Sequence, residues 1–186
     1  MKKCEAAVWG LAVWFSLVGI AVSAADFSLV GDINPGVDGS NPRALYVFNG
    51  NLYFRAHTPE SGLELWKVDS TTKSPILIKD INPGLSDGLE YTEPHSSLCP
   101  NTQPYYAALG GNLYFAADDG LHGLELWRTD GTTSGTALVR DIKNGPLSSN
   151  PISLSATSRL FFRADSSVWS YRDDTDDLQC TVIVFT

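Results

Sequence analysis

The chain is poor in the residues from which most catalytic and metal sites are assembled. Its 186 residues include three cysteines, three histidines and one methionine. No two cysteines form a Cys-x-x-Cys pair, and His57, His95 and His122 never stand four apart, so a zinc site would need ligands gathered from distant segments. No glycine loop of the phosphate-cradling type is present. Basic charge is scarce: 13 Lys and Arg oppose 21 Asp and Glu, a formal net charge of −8, with no Lys/Arg-rich stretch. A surface of that sign repels nucleic acid and anionic lipid, so neither is an expected partner. Beyond the leader there is no convincing helical period.

The leader comes first. Lys2 and Lys3 precede an apolar run from Ala6 to Val22, closed by the small residues of Val22-Ser23-Ala24. This pattern reads as a secretory signal peptide over residues 1–24, with a secreted or cell-surface product spanning 25–186. An uncleaved membrane anchor is the competing reading; at 17 residues the run is short for a span. With Lys2, Lys3 and Glu5 removed, 11 basic residues face 20 acidic ones. Cleavage leaves Cys99 and Cys180, which an oxidising compartment could bridge. Closing that loop of roughly 80 residues would add on the order of 4 kcal/mol by the chain-entropy model. Two thiols that never meet are the alternative.

The dominant feature is internal repetition. Asp32-Ile33-Asn34-Pro35-Gly36 returns as Asp80-Ile81-Asn82-Pro83-Gly84 and, degraded, as Asp141-Ile142-Lys143-Asn144-Gly145. Leu52-Tyr53-Phe54 returns as Leu113-Tyr114-Phe115 and Leu160-Phe161-Phe162, and Glu64-Leu65-Trp66 as Glu125-Leu126-Trp127, with a remnant at Val168-Trp169. Asp32 and Asp80 are 48 residues apart, but Trp66 and Trp127 are 61 apart. The excess of 13 is an insert near Leu89–Gln103, rich in proline. A fixed period means one supersecondary unit copied along the chain, each copy unable to bury its apolar faces alone.

Each unit reads as four strands. In the first these are Arg43–Phe48, Asn51–Ala56, Leu63–Val68 and Pro75–Ile81; Asn49-Gly50 suits a type I′ hairpin, whose central residues both need positive φ. The second has Tyr105–Leu109, Asn112–Ala117, Leu124–Thr129 and Thr136–Ile142 around Gly110-Gly111. The third has Ile152–Ala156, Arg159–Ala164, Ser167–Tyr171 and Thr181–Phe185. Strands apolar on both faces, such as Leu52, Phe54 and Ala56 opposite Tyr53, belong to a sheet packed between others, as propeller blades are. The expected fold is all-β: about three antiparallel four-stranded meanders, propeller-like and partial or open. The alternative is a closed threefold, trefoil-like barrel. The expected layout is a partial strand and linker at 25–42, repeat 1 at 43–84, a linker with the inserted loop at 85–104, repeat 2 at 105–145 and a degenerate repeat 3 at 146–186. Leu29-Val30-Gly31-Asp32-Ile33 matches Leu138-Val139-Arg140-Asp141-Ile142, so the partial strand is a stray fourth strand.

Glu125-Leu126-Trp127-Arg128-Thr129-Asp130-Gly131-Thr132 resembles the ELWxxDGT repeat of bacterial exported proteins. The first unit departs from it at Ser70, in place of glycine, and the third loses the Glu-Leu pair. The resemblance implies tandem, propeller-like arrays on secreted proteins; it implies no activity. Three units are few for a propeller. The chain is then part of a longer array, an open arc that associates with itself, or the closed barrel.

Candidate sites follow from the repeats. Glu64 with Trp66, and Glu125 with Trp127, share a strand face, where a sugar could stack on indole and hydroxyls could meet carboxylate. The competing reading is packing between units, favoured because structural positions recur in every copy. Tyr91 and His95 lie in the insert, the loop best suited to ligand contact. Asp118 and Asp119 beside Gly120 are candidate calcium ligands, and calcium is the only cofactor in view; a solvated turn is the competing reading. Asp173, Asp174, Asp176 and Asp177 read as an acidic turn. No catalytic residue is assigned. The expected function is non-catalytic extracellular binding or adhesion, to a glycan or a protein; a self-associating structural array is the alternative and a hydrolase the second alternative.

Overall fold

The computed structural model describes residues 28–89 and 105–181, and every regular element among them is a β-strand. Residues 1–27 (which include the expected signal segment), most of the insert and the last five residues lie outside the described residues, with Cys99, Tyr91 and His95 among them. The first sheet holds β1 (Arg43–Phe48), β2 (Asn51–Thr58), β3 (Gly62–Val68) and β4 (Pro75–Lys79). The second holds β5 (Ala107–Leu109), β6 (Asn112–Ala117), β7 (Glu125–Thr129) and β8 (Ala137–Arg140). The third holds β9 (Ile152–Ala156), β10 (Leu160–Ala164), β11 (Ser167–Arg172) and β12 (Asp177–Thr181). All three are antiparallel meanders whose strands pair only within their own unit. That is the open, propeller-like arrangement, and not a trefoil-like barrel, in which units would share strands in one closed sheet.

Local chemistry sets the turns. Asn49-Gly50 and Gly110-Gly111 have positive φ at both positions, as do Asp165-Ser166 between β10 and β11, which is the type I′ requirement. β4 and β8 end earlier than the sequence suggests, because Asp80 and Asp141 leave the ladder: their carboxylates accept the amides of Gly84 and Gly145 at 3.2 and 2.9 Å. The last strand starts at Asp177 rather than Thr181. The acidic turn between β11 and β12 is short enough for Arg172 to pair with Asp177, which carries Cys180 opposite Trp169.

The sheets stack through two cores. Along β6, Leu113, Phe115 and Ala117 pack with Tyr53, Leu65 and Ile78 of the first sheet. The intervening Tyr114 packs with Leu154, Leu160 and Phe162 of the third. The second sheet is therefore buried on both faces, and each large side chain so enclosed contributes roughly 1.5–3 kcal/mol. The orientation is the same at both joints: the tryptophan-bearing face of one sheet meets the opposite face of the sheet before it. In the third sheet, β10 buries Leu160, Phe162 and Ala164 and exposes Phe161 and Arg163. Leu45 and Val47 on the tryptophan face of the first sheet are 65% and 70% exposed.

Candidate functional site

The repeated glutamates sit at the joints. Glu125 has no exposed surface. It accepts the amides of Ile142, Lys143 and Ser149 at 3.2, 3.3 and 3.0 Å, and the Ser149 hydroxyl at 2.6 Å. The link between units is thereby tied to β7, while the Ser149 carbonyl accepts the Asp165 amide of the third sheet at 2.7 Å. The first joint repeats this plan. Glu64, also fully buried, accepts the Asn82 amide at 3.3 Å, and the Gly88 carbonyl accepts the Asp118 amide at 2.8 Å. Gly88, however, stands where the second link has Ser149, and Glu64 Oε2 has no partner among the described residues. A β-carbon on Gly88 would lie 2.2 Å from Glu64 Oε1, so the link comes too close for serine. Burial, with the charge of Asp80 added, pushes the Glu64 carboxyl up to about 8.

The opposite rim carries a second fastening. Lys67 donates to the Gly131 carbonyl at 2.9 Å, and a β-carbon on Gly131 would come within 2.4 Å of the Tyr53 hydroxyl. One sheet later, Arg128 pairs with Asp173 at 3.1 Å and the Tyr114 hydroxyl donates to the same carboxylate. Burial and Asp173 hold the Tyr114 phenol well above its ordinary range. A tyrosine and a cation thus hold the turn between the third and fourth strands of the next sheet. The third sheet has Phe161 and Ser170 at the matching places, and Ser167 where the others have glutamate.

Most side chains singled out in the sequence are consumed by these contacts. Trp127 is buried in the first joint with the Lys79 ammonium 5.6 Å from its ring centre, and Glu125 has no free acceptor face for a sugar. Trp66 is half-buried on the open side of the first sheet. Asp118 and Asp119 are separate turn caps: Asp118 accepts the Gly120 amide at 2.7 Å, and Asp119 accepts those of Leu121 and His122 at 3.0 and 2.9 Å. His122 Nδ1 lies 2.8 Å from Asp119, and this hydrogen bond raises the imidazole pKa. Among the described residues no three metal-ligating side chains gather. Asp173 and Asp176 are engaged by Tyr114 and Tyr171, and Asp177 by Arg159. Cys180 is exposed.

Two features escaped the sequence reading. Gly84-Leu85-Ser86-Asp87-Gly88 has nucleophile-elbow spacing; it lies in the link after β4, and the Asp87 carboxylate accepts the Leu63 amide at 2.7 Å. The second is a row of aliphatic tips. Val37 and Leu85, each just after the glycine of an inter-unit link, and Leu147, two residues after the glycine of the third, are 101%, 80% and 59% exposed, and Leu121 of the β6–β7 loop is 70% exposed. The loops of Leu85, Leu121 and Leu147 share one rim: Gly120 approaches Asn82, and Gly123 approaches Leu147. The signal was an apolar residue following Asn-Pro-Gly or its remnant in every link.

No protein-family model and no curated protein matches the chain. Among solved structures it is similar to one described as the crystal structure of the tricorn protease, at 14% identity and a TM-score of 0.46, over 73% of this chain and 12% of that one. The class defined by the coordinates themselves is an all-β repeat protein of stacked four-stranded sheets, open and propeller-like.

Proposed function

We propose that the chain is a secreted, non-catalytic binding protein of the ELWxxDGT repeat type, which holds its ligand on the rim formed by the inter-unit links. The observation carrying this reading is the set of exposed aliphatic tips at Leu85, Leu121 and Leu147, whose loops meet on one rim, with Val37 in the corresponding link before the first sheet. Isolated exposed aliphatics are ordinary; an aliphatic tip in each of three successive links, joined by one from a neighbouring loop, marks a contact surface. Aliphatic tips suit an extracellular protein ligand better than a glycan, because sugars stack on aromatic faces. Glu64, Glu125 and Trp127 serve the joints, which favours binding through loops over catalysis at the motif.

The test is binding of the full chain to panels of extracellular proteins and glycans, compared with the Val37→Ser/Leu85→Ser/Leu147→Ser variant. These side chains are exposed, so the variant keeps its thermal midpoint. The expected result is saturable, salt-tolerant protein binding that the variant loses at least ~10-fold, equivalent to ~1.4 kcal/mol. Unchanged binding by the variant contradicts the reading.

A further inference from the structure

Each joint has a giving half and a receiving half. The giving half is a face with a tyrosine and a cation: Tyr53 and Lys67, then Tyr114 and Arg128, with the glutamate that ties the following link, Glu64 and then Glu125, at the rim of the other, tryptophan-bearing face. The receiving half is a tryptophan face, a turn between the third and fourth strands, and a link carbonyl bonded to the end of the second strand. The third sheet has lost the giving set, and its outer face follows the polar pattern of a terminal repeat. The first sheet keeps the whole receiving half. Its Ser40 carbonyl accepts the His57 amide at 2.9 Å, as Gly88 and Ser149 do for the later sheets. Its Asp69 turn is closed by the amides of Thr71 and Thr72 at 2.9 and 2.8 Å, leaving Ser70 exposed where Gly131 and Asp173 are gripped.

Residues 28–33 show what belongs in front of it. They match Ala137–Ile142 in sequence and lie against the first sheet, with Gly31 packed on Pro75. At the first joint the residue matching Gly31 is Lys79, and it contacts Thr136, the residue matching Pro75. Residues 28–33 therefore occupy the place of the fourth strand of a preceding sheet, none of whose other strands is among the described residues. The space beside them is an apolar groove of about 540 Å³, walled by Leu29, Val30, Leu45, Leu52, Phe54 and Pro75.

We infer that this groove is the docking site for an antiparallel β-meander, three strands wide, on a partner chain. The meander takes residues 28–33 as its fourth strand and meets the Asp69–Ser74 turn with a tyrosine and a cation. This is strand addition with the register set by side-chain pockets. A second copy of the chain does not fit the requirement: its free outer face has Phe161 where the tyrosine is needed and Ser170 where the cation is needed, and its Arg163 stands at the place of Arg55 and Ala116 instead. The surface is separate from the aliphatic rim, so the two readings stand or fall independently.

The test supplies the missing strands. A copy of residues 105–136 is inserted between residues 27 and 28 of the full chain, and amide exchange is followed in β2 and β3. The expected result is at least ~10-fold slower exchange there, with β6 and β7 unchanged, and loss of that gain when Leu45→Asp and Val47→Asp are added. No added protection while β6 and β7 stay protected overturns the inference. Concentration-dependent dimers of the full chain, abolished by the same two substitutions, also overturn it by making a second copy the occupant. A further measurement needs no insertion: the full chain binds an apolar dye such as ANS at this face, and Leu45→Asp/Val47→Asp removes most of the signal. Dye binding that is absent, or indifferent to those two changes, contradicts the docking face.

Discussion

The joint between the first and second sheets and the joint between the second and third use the same parts, yet they differ at the glutamate. Glu125 is met by three amides and a hydroxyl; Glu64, in the same strand position, faces a link that has glycine in place of serine. The comparison separates two jobs that the motif sequence merges. Position on the strand decides that the carboxyl is buried; the link decides how fully its oxygens are hydrogen-bonded. A buried carboxyl with an unmet oxygen, as at Glu64, is driven toward its neutral form.

The largest contrast between two substitutions is expected at the tryptophans. Trp127→Ala opens a cavity in the first joint and costs roughly 3–5 kcal/mol, while Trp66→Ala, on the open face, costs about half that or less. Denaturant unfolding of the two variants side by side checks this; equal losses would erase the distinction between a covered and an uncovered sheet. Glu125→Ala leaves the amides of Ile142, Lys143 and Ser149 without their acceptor and is expected to cost roughly 2–4 kcal/mol, again read from unfolding curves.

Glu64 supplies a pH signature. Its folded-state pKa lies above the ordinary carboxylate value, so between about pH 4.5 and 8 the folded state binds more protons than the unfolded state. Stability therefore falls as pH rises through that window and levels off above it, by on the order of 5 kcal/mol. Glu64→Gln should remove that fall and make the protein more stable than its parent at pH 8. The absence of any difference between pH 5 and pH 8 would show that Glu64 is not isolated as described. The smallest effect is expected at the far rim: Tyr114→Phe loses the bond to Asp173 and about 1 kcal/mol. Tyr53→Phe loses less, because Tyr53 faces a glycine backbone and not a carboxylate. Thermal midpoints of the pair measure that step.

Much of this fold is written in local rules. The two-residue turns at Asn49-Gly50 and Gly110-Gly111, and the period-two alternation of Leu52, Tyr53 and Phe54, point to hairpins and to sheets covered on both faces, and both are there. The shared face of Glu and Trp was legible as well. Its use was harder to read, because the donors that engage Glu125 come from residues 142–149, and only the fold shows that they meet it. The end of β4 and the start of β12 were misplaced for a similar reason: an aspartate leaving a ladder and a four-residue acidic turn are tertiary outcomes of short polar segments. The aliphatic tips of the links were present in the repeat but carry no periodic pattern, so nothing set them apart from loop composition. Disposition of Cys99, Tyr91 and His95 lies outside the described residues.

The central claim is an ordered stack in which, among the described residues, only the middle sheet has another sheet on both sides. Residue-resolved native-state hydrogen exchange tests it most directly. The account predicts that the amides of β6 and β7 exchange slowest, with β2, β3, β10 and β11 opening at lower free energy. Protection in β2 or β10 equal to or greater than that in β6 would contradict it.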